Sequence, residues 1–180
     1  MNQTKKKNPL KRLLSMRGMG QVVTVTIGLI VLLVAFALIN PNFWSPTNRT
    51  NLLRQIAPIL IIGIAQSYVL ITGNIDLSIG SVVGIITGAT VGQGTMDAGN
   101  SYEMYAVAAS VIGGVSTLGG QGILLGTVVG AAIWGTLQNG LQFAGAPVAI
   151  RNIIIGIIVV LSVLMDVVIR TGRRNTKVSD

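Results

Sequence analysis

From Val22 to Ile39 the chain runs for 18 residues without a charge. As a helix rising about 1.5 Å per residue, that run nearly covers the ~30 Å hydrocarbon layer of a bilayer. A backbone placed in lipid must satisfy its own hydrogen bonds, which only helices and closed barrels achieve. The remainder repeats the theme: 51% of the 180 residues are hydrophobic and 10% are charged, with a mean hydropathy of +0.71. Soluble domains carry about 25% charged residues. The expected fold class is therefore all-α, a polytopic transmembrane helix bundle in contact with the lipid bilayer.

The charge is gathered at the ends. Lys5, Lys6, Lys7, Lys11, Arg12 and Arg17 precede the first apolar run, and Arg170, Arg173, Arg174 and Lys177 follow the last. Only Arg49, Arg54 and Arg151 lie between them. A net charge of +8 would also suit nucleic acid, but the aromatics that stack on bases make up just 4% of the chain. Basic clusters abutting apolar segments are what the positive-inside rule keeps in the cytoplasm. Both termini are thus expected to be cytoplasmic and the number of crossings even, with no nucleic-acid partner. There is no Cys and no His, which excludes disulfides, imidazole catalysis and Cys/His zinc sites. The acids are Asp76, Asp97, Glu103, Asp166 and Asp180, a poor inventory for an enzyme. No catalytic residue, cofactor or metal site is expected.

Five stretches organise the chain: a basic tail (1–20), an N-terminal membrane block (21–91), a polar Gly-rich junction (92–104), a C-terminal membrane block (105–169) and a second basic tail (170–180). Residues 22–39 also mimic a cleavable signal peptide, with Ala35-Phe36-Ala37 as the cleavage pattern; the run's length and the membrane segments after it favour a span. Asn40 to Asn51, with two prolines, Phe43 and Trp44, suits an interfacial loop. Its Asn48-Arg49-Thr50 is formally a glycosylation acceptor, a tripeptide common by chance. A second apolar run, Ile56 to Ile71, stops at Thr72-Gly73-Asn74-Ile75-Asp76, and a third extends from Leu77 to Val91. Two runs, each short for a span and joined by a polar hinge, point to a broken helix. Asp76 is placed to cap the second piece. Tyr105 to Ile112 is too brief to cross and leads into a Gly-rich turn over 113–122. Ile123 to Leu137 is a further helix, Gln138-Asn139-Gly140 opens a loop, and Ile153 to Ile169 is the final run. Of the four to six crossings these pieces allow, either four or six satisfies parity.

Gly80, Gly84 and Gly88 in one helix, and Gly122, Gly126 and Gly130 in another, form ridges spaced by four residues. Such ridges let membrane helices pack closely. The Gly-rich stretch near Gly119 is not a phosphate loop, since no Lys-Ser/Thr follows it and Leu125 occupies the third glycine position of GxGxxG. An ionised Asp76 within a membrane needs capping, pairing or hydration. Gln66, Ser67, Thr72, Asn74, Asp76, Ser78, Gln138 and Asn139 are candidate pathway or hinge groups, each equally explained by hydrogen bonding between helices.

Asn51-Leu52-Leu53-Arg54-Gln55 through Gly73-Asn74-Ile75-Asp76-Leu77-Ser78-Ile79-Gly80-Ser81, preceded by Asn40-Pro41-Asn42-Phe43, resembles the permeases of ribose-, xylose- and galactoside-type ABC importers. A second block runs from Asp97-Ala98-Gly99-Asn100 through Gly113-Gly114-Val115-Ser116-Thr117-Leu118-Gly119-Gly120 to Gln138-Asn139-Gly140-Leu141. Asn74 and Val115 depart from the family's usual glycine and threonine. The resemblance implies a monosaccharide import subunit in the bacterial inner membrane. Its implied partners are an ATP-binding-cassette ATPase, an extracytoplasmic sugar-binding protein and a second permease copy. In that family the two blocks are separated by a long central region; here they meet near residues 91–94, and no coupling loop with a Gly-Gly-Asn string is found. The alternative is accordingly an internally deleted, transport-incompetent remnant. Secondary transport by a small oligomer would need an ion-coupling site, for which the apolar runs hold few acids.

Overall fold

The computed structural model describes residues 19–91, 99 and 101–176, and six α-helices lie among them. The N-terminal basic cluster, the junction at 92–98, Asn100 and Lys177 to Asp180 lie outside the described residues. Of the side chains at 86–91, at 166 and from 169 onward nothing is described.

Helix α1 (Met19–Ile39) places a single residue, Phe36, in the interior and leaves Ile27, Val31, Val34 and Leu38 on the outside. A surface of that kind is compatible with lipid. Asn40 ends it by accepting from the Asn42 amide (3.0 Å) and donating to the Phe143 carbonyl (3.2 Å). A short 3-10 turn (Pro41–Trp44) follows, with the Phe43 ring buried between those of Phe36 and Phe143.

The expected interfacial loop is shorter than its composition indicates, because α2 (Pro46–Ile71) begins ten residues before the apolar run at Ile56. Ser45 caps it, accepting from the Asn48 amide, and Pro46 holds the first helical position, where a missing N–H is harmless. The helix passes through Pro58 and ends beside Gly73, whose φ is +84°. Helix α3 (Ile79–Val91) starts two residues later than expected. Helix α4 (Tyr102–Ile112) starts three residues earlier, within the stretch assigned to the polar junction. At 13 and 11 residues these two helices are about 20 and 17 Å long, well short of a span.

Helix α5 (Leu124–Phe143) continues through Gln138, Asn139 and Gly140, where the polar triplet suggests a loop. Tertiary contacts override the local signal there: Gly140 lies against the Phe36 ring and Asn139 is buried in a paired contact. Helix α6 (Val148–Thr176) begins directly after Pro147 and carries the helix through the basic tail. Its outer face presents Ile153, Ile157, Val160, Leu161 and Leu164.

Helices α2 and α5 run antiparallel along their whole lengths. Asn48 meets Asn139 at one end, Ile56 fits over Gly135, Ser67 meets Thr127, and Ile71 reaches Gly120 and Gly122 at the other. Gln21 of α1 lies against Gly114, so the start of α1, the end of α2 and the Gly-rich connection share one end of the bundle. Phe43, Asn48 and Phe143 mark the opposite end. Helices α1, α2, α5 and α6 therefore run the full height. Helices α3 and α4 leave and rejoin the Gln21 end as a pair of half-height pieces.

Close approach holds the inner contacts. A Cβ on Gly126 would overlap the Gly113 carbonyl, and one on Gly130 would overlap the Ala109 carbonyl, so α4 and α5 touch backbone to backbone. Gly80 and Gly84 of α3 meet Gly99, whose φ of +87° itself favours glycine. Gly88 falls within α3 as the ridge requires. Gly122 does not belong to the second ridge. It precedes α5 and packs in the connection against Val115 and Ile71.

Without a hydrophobic force between helices in lipid, such contacts carry the packing. Gly126→Val should lower stability by about 1–3 kcal/mol through overpacking. Gly156→Ala, on an exposed face with nothing within 4 Å, should be neutral or gain up to ~1 kcal/mol. Thermal unfolding of the purified chain in one detergent would check the opposite signs.

Candidate functional site

Two interruptions of helical structure meet at the Gln21 end: residues 72–78 between α2 and α3, and 113–123 between α4 and α5. The last turn of α2 leaves carbonyls without helical partners. Thr72, Gly73 and Asn74 take some of them by turning back, Asn74 N–H reaching Val69 O at 3.2 Å. The second interruption supplies another bond: Gly120 N–H donates to Ile71 O at 2.8 Å, while Gly119 (φ +80°) sits against Gly73. Within that connection Ser116 is buried, its amide bonded to Gln121 O and its hydroxyl accepting from the Leu118 amide.

Beyond Gly73 the chain leaves regular structure and doubles back beside α2. Gln66, wholly buried, faces the backbone of Asp76. With the amide oriented to satisfy both groups, its nitrogen donates to Asp76 O at 3.1 Å and its oxygen accepts from Asp76 N–H at 3.2 Å. The Asp76 carboxylate accepts from the Ser78 hydroxyl (2.6 Å) and the Ser78 amide (2.8 Å), which holds its carboxyl below the ordinary value. Because α3 begins at Ile79, Ser78 occupies the capping position, and Asp76 braces the turn before it instead of capping the helix itself.

Immediately below lies a buried hydroxyl cluster joining three helices. Ser67 Oγ is 2.8 Å from Gly63 O, 2.7 Å from Thr127 Oγ1 and 3.1 Å from Ser110 Oγ. Ser110 Oγ also reaches Gly63 O (3.0 Å) and Ala106 O (2.8 Å). The three protons are all placed if Thr127 donates to Ser67, Ser67 to Gly63 O and Ser110 to Ala106 O. All three side chains are 0% exposed, so the cluster is a dry joint between α2, α4 and α5.

The eight candidate polar residues thus divide. Thr72, Asn74, Asp76 and Ser78 gather on the hinge, with Thr72, Asn74 and Ser78 exposed. Gln66 and Ser67 stand behind them, buried and engaged. Gln138 and Asn139 lie at the far end, where Asn139 and Asn48 exchange amide bonds of 2.9 and 3.0 Å and Asn48 also donates to Phe43 O. Asn48, Ser110 and Thr127 are absent from the set legible in the sequence. Asn48 looked like part of a chance tripeptide, and single hydroxyls in apolar helices give no sign of converging.

Comparison with known proteins bears on what this arrangement serves. The chain is 41% identical over 86 residues to the ribose import permease protein RbsC of Escherichia coli K12, covering 48% of this chain and 27% of that protein. Against the ribose import permease protein RbsC of Bacillus subtilis 168 it is 45% identical over 69 residues, 38% of this chain and 21% of the relative. Against the xylose transport system permease protein XylH of E. coli K12 it is 41% identical over 86 residues, 48% and 22% respectively. About half of the chain is therefore homologous to sugar permeases, and the match spans roughly a quarter of the length of these relatives. No family model and no solved structure matches.

The reciprocal asparagine pair makes a sharp test of the far end. Asn139→Leu leaves a buried Asn48 group unpaired and should lower stability by about 1–3 kcal/mol. Adding Asn48→Leu should cost less than the sum of the single changes, a coupling readable from the melting temperatures of the four proteins in a double-mutant cycle.

Proposed function

We propose that this chain is a membrane subunit of a bacterial ABC importer for a monosaccharide of the ribose, xylose or galactose class, resident in the inner membrane. The observation that carries this reading is the homology to ribose and xylose permeases over half of the chain. It is supported by three helices long and apolar enough to cross a membrane, α1, α2 and residues 148–165 of α6. Helix α5, antiparallel to α2 at full height, makes the fourth crossing. The half-height pair α3 and α4 re-enters from the cytoplasmic side, and the basic ends of the chain lie on that same side. ATP hydrolysis belongs to a partner ATPase, and an extracytoplasmic sugar-binding protein delivers the substrate to this chain and a second permease copy.

A second reading is a shortened remnant that inserts without coupling. It is favoured by the small share of each relative that the match covers. The two part on one experiment: membranes holding this chain, its ATPase and its binding protein are assayed for radiolabelled ribose or xylose uptake. Saturable, ATP-dependent uptake together with co-purification of the ATPase is expected; neither, from membranes in which the chain is well inserted, leaves the remnant.

The orientation is tested separately, and the lack of native Cys makes labelling clean. A single cysteine at Asn42 should react with a membrane-impermeant maleimide in intact spheroplasts, and one at Asn74 only after permeabilisation. The reverse pattern overturns the topology.

A further inference from the structure

Residues 74–77 lie between helices with neither helix nor sheet pairing, so their backbone must find partners elsewhere or meet water. The Ile75 and Leu77 amides donate to nothing among the described residues, and their side chains are 56% and 64% exposed. With the Gln66 amide oriented to satisfy both groups, Asp76 between them has its N–H and its C=O taken by that one side chain, itself 0% exposed.

That side chain acts as a peptide unit would in a sheet, but it projects from α2 one residue before Ser67, in the hydroxyl joint between α2, α4 and α5. The segment also has a pivot. Gly73 sits at φ +84°, where side chains are rarely tolerated, at the point where α2 ends. Past this pivot, Asn74 is still tied back to Val69 O, and the Asp76–Ser78 contacts are internal to the segment. The pairing of Gln66 with Asp76 is the tie that fixes this irregular stretch to the helix interior.

We propose that Gln66 is a latch. Its amide holds the hinge segment 75–78 against α2, and opening it frees that segment to swing about the turn at Gly73 and Asn74. Gln66 is then a positioning residue for the hinge that presents Asn74, Asp76 and Ser78. The inference goes beyond the transport reading and does not depend on it, since it concerns backbone pairing in this chain alone.

Residue-resolved amide hydrogen exchange of the full chain in detergent tests it. In the parent protein the Asp76 amide should exchange at least about tenfold more slowly than those of Ile75 and Leu77, the factor one net hydrogen bond supplies. In Gln66→Leu that protection should vanish while the amides of α5 keep theirs. A spin label on a cysteine at Ile75 should become more mobile in Gln66→Leu, and one at Leu38 on α1 should not change. An Asp76 amide that exchanges in the parent as fast as its neighbours overturns the latch. So does protection that survives Gln66→Leu. If Gln66→Leu does not fold, the exchange rates in the parent decide alone.

Discussion

The requirement that a backbone near lipid pair its own hydrogen bonds governs this molecule. Continuous helices meet it automatically, so everything particular about the structure follows from the two places where helices stop short. At the first, α2 ends and the chain must turn; at the second, α4 gives way to α5. Their juxtaposition solves part of the problem, because the Gly120 amide serves the Ile71 carbonyl that α2 leaves over. The glycines at 73, 119 and 120 adopt the positive φ values that such tight reversals demand. Side chains supply what backbone cannot, Gln66 for Asp76 and the Ser116 hydroxyl for Leu118.

The same constraint explains an interior unlike that of a soluble protein. Large apolar side chains populate the outside of α1 and α6, whereas the closest contacts among α2, α4 and α5 use Gly, Ala, Ser and Thr beside a few large residues such as Ile59 and Trp134. Small residues admit close backbone approach, and each buried hydroxyl then finds a carbonyl within reach. Gly63 illustrates the coupling: its bare Cα lets Thr127 come near, and its carbonyl receives the Ser67 hydroxyl with Ser110 Oγ 3.0 Å away. Packing and hydrogen bonding are one device here.

Legibility in the sequence follows the range of the forces. The uncharged runs that became α1, α2 and α6 are visible because lipid acts on every residue of a span alike. The half-height pieces and the polar hinge at 72–78 are visible too, since breaks in hydropathy are local. The ends of helices are not. Residues 138–140 have the composition of a turn, yet remain helical because Asn48 and Phe36, about 90 and 100 positions away in the chain, occupy Asn139 and Gly140. Gly122 fits a four-residue ridge by spacing alone but falls before the helix starts. The hydroxyl joint was half legible: Ser67 stood out beside Gln66, while its partners Ser110 and Thr127 lie 43 and 60 residues away.

This division separates the polar groups that build the bundle from those that remain open to a ligand. Most polar side chains buried in the bundle are engaged, Asn48 with Asn139, the three hydroxyls among themselves and with carbonyls, Gln66 with Asp76, while Trp134 Nε1 and Arg151 Nε are buried without a partner among the described residues. A ligand hydroxyl drawing on any of the engaged groups would have to break a bond already made in a dry site, where unpaired groups are costly. The hinge differs, for Thr72, Asn74 and Ser78 are exposed and Asp76 keeps a second carboxylate oxygen beyond the one bonded to Ser78. Polar groups that meet solvent are thus gathered at the hinge, whereas those of the packed core are spent on holding helices together.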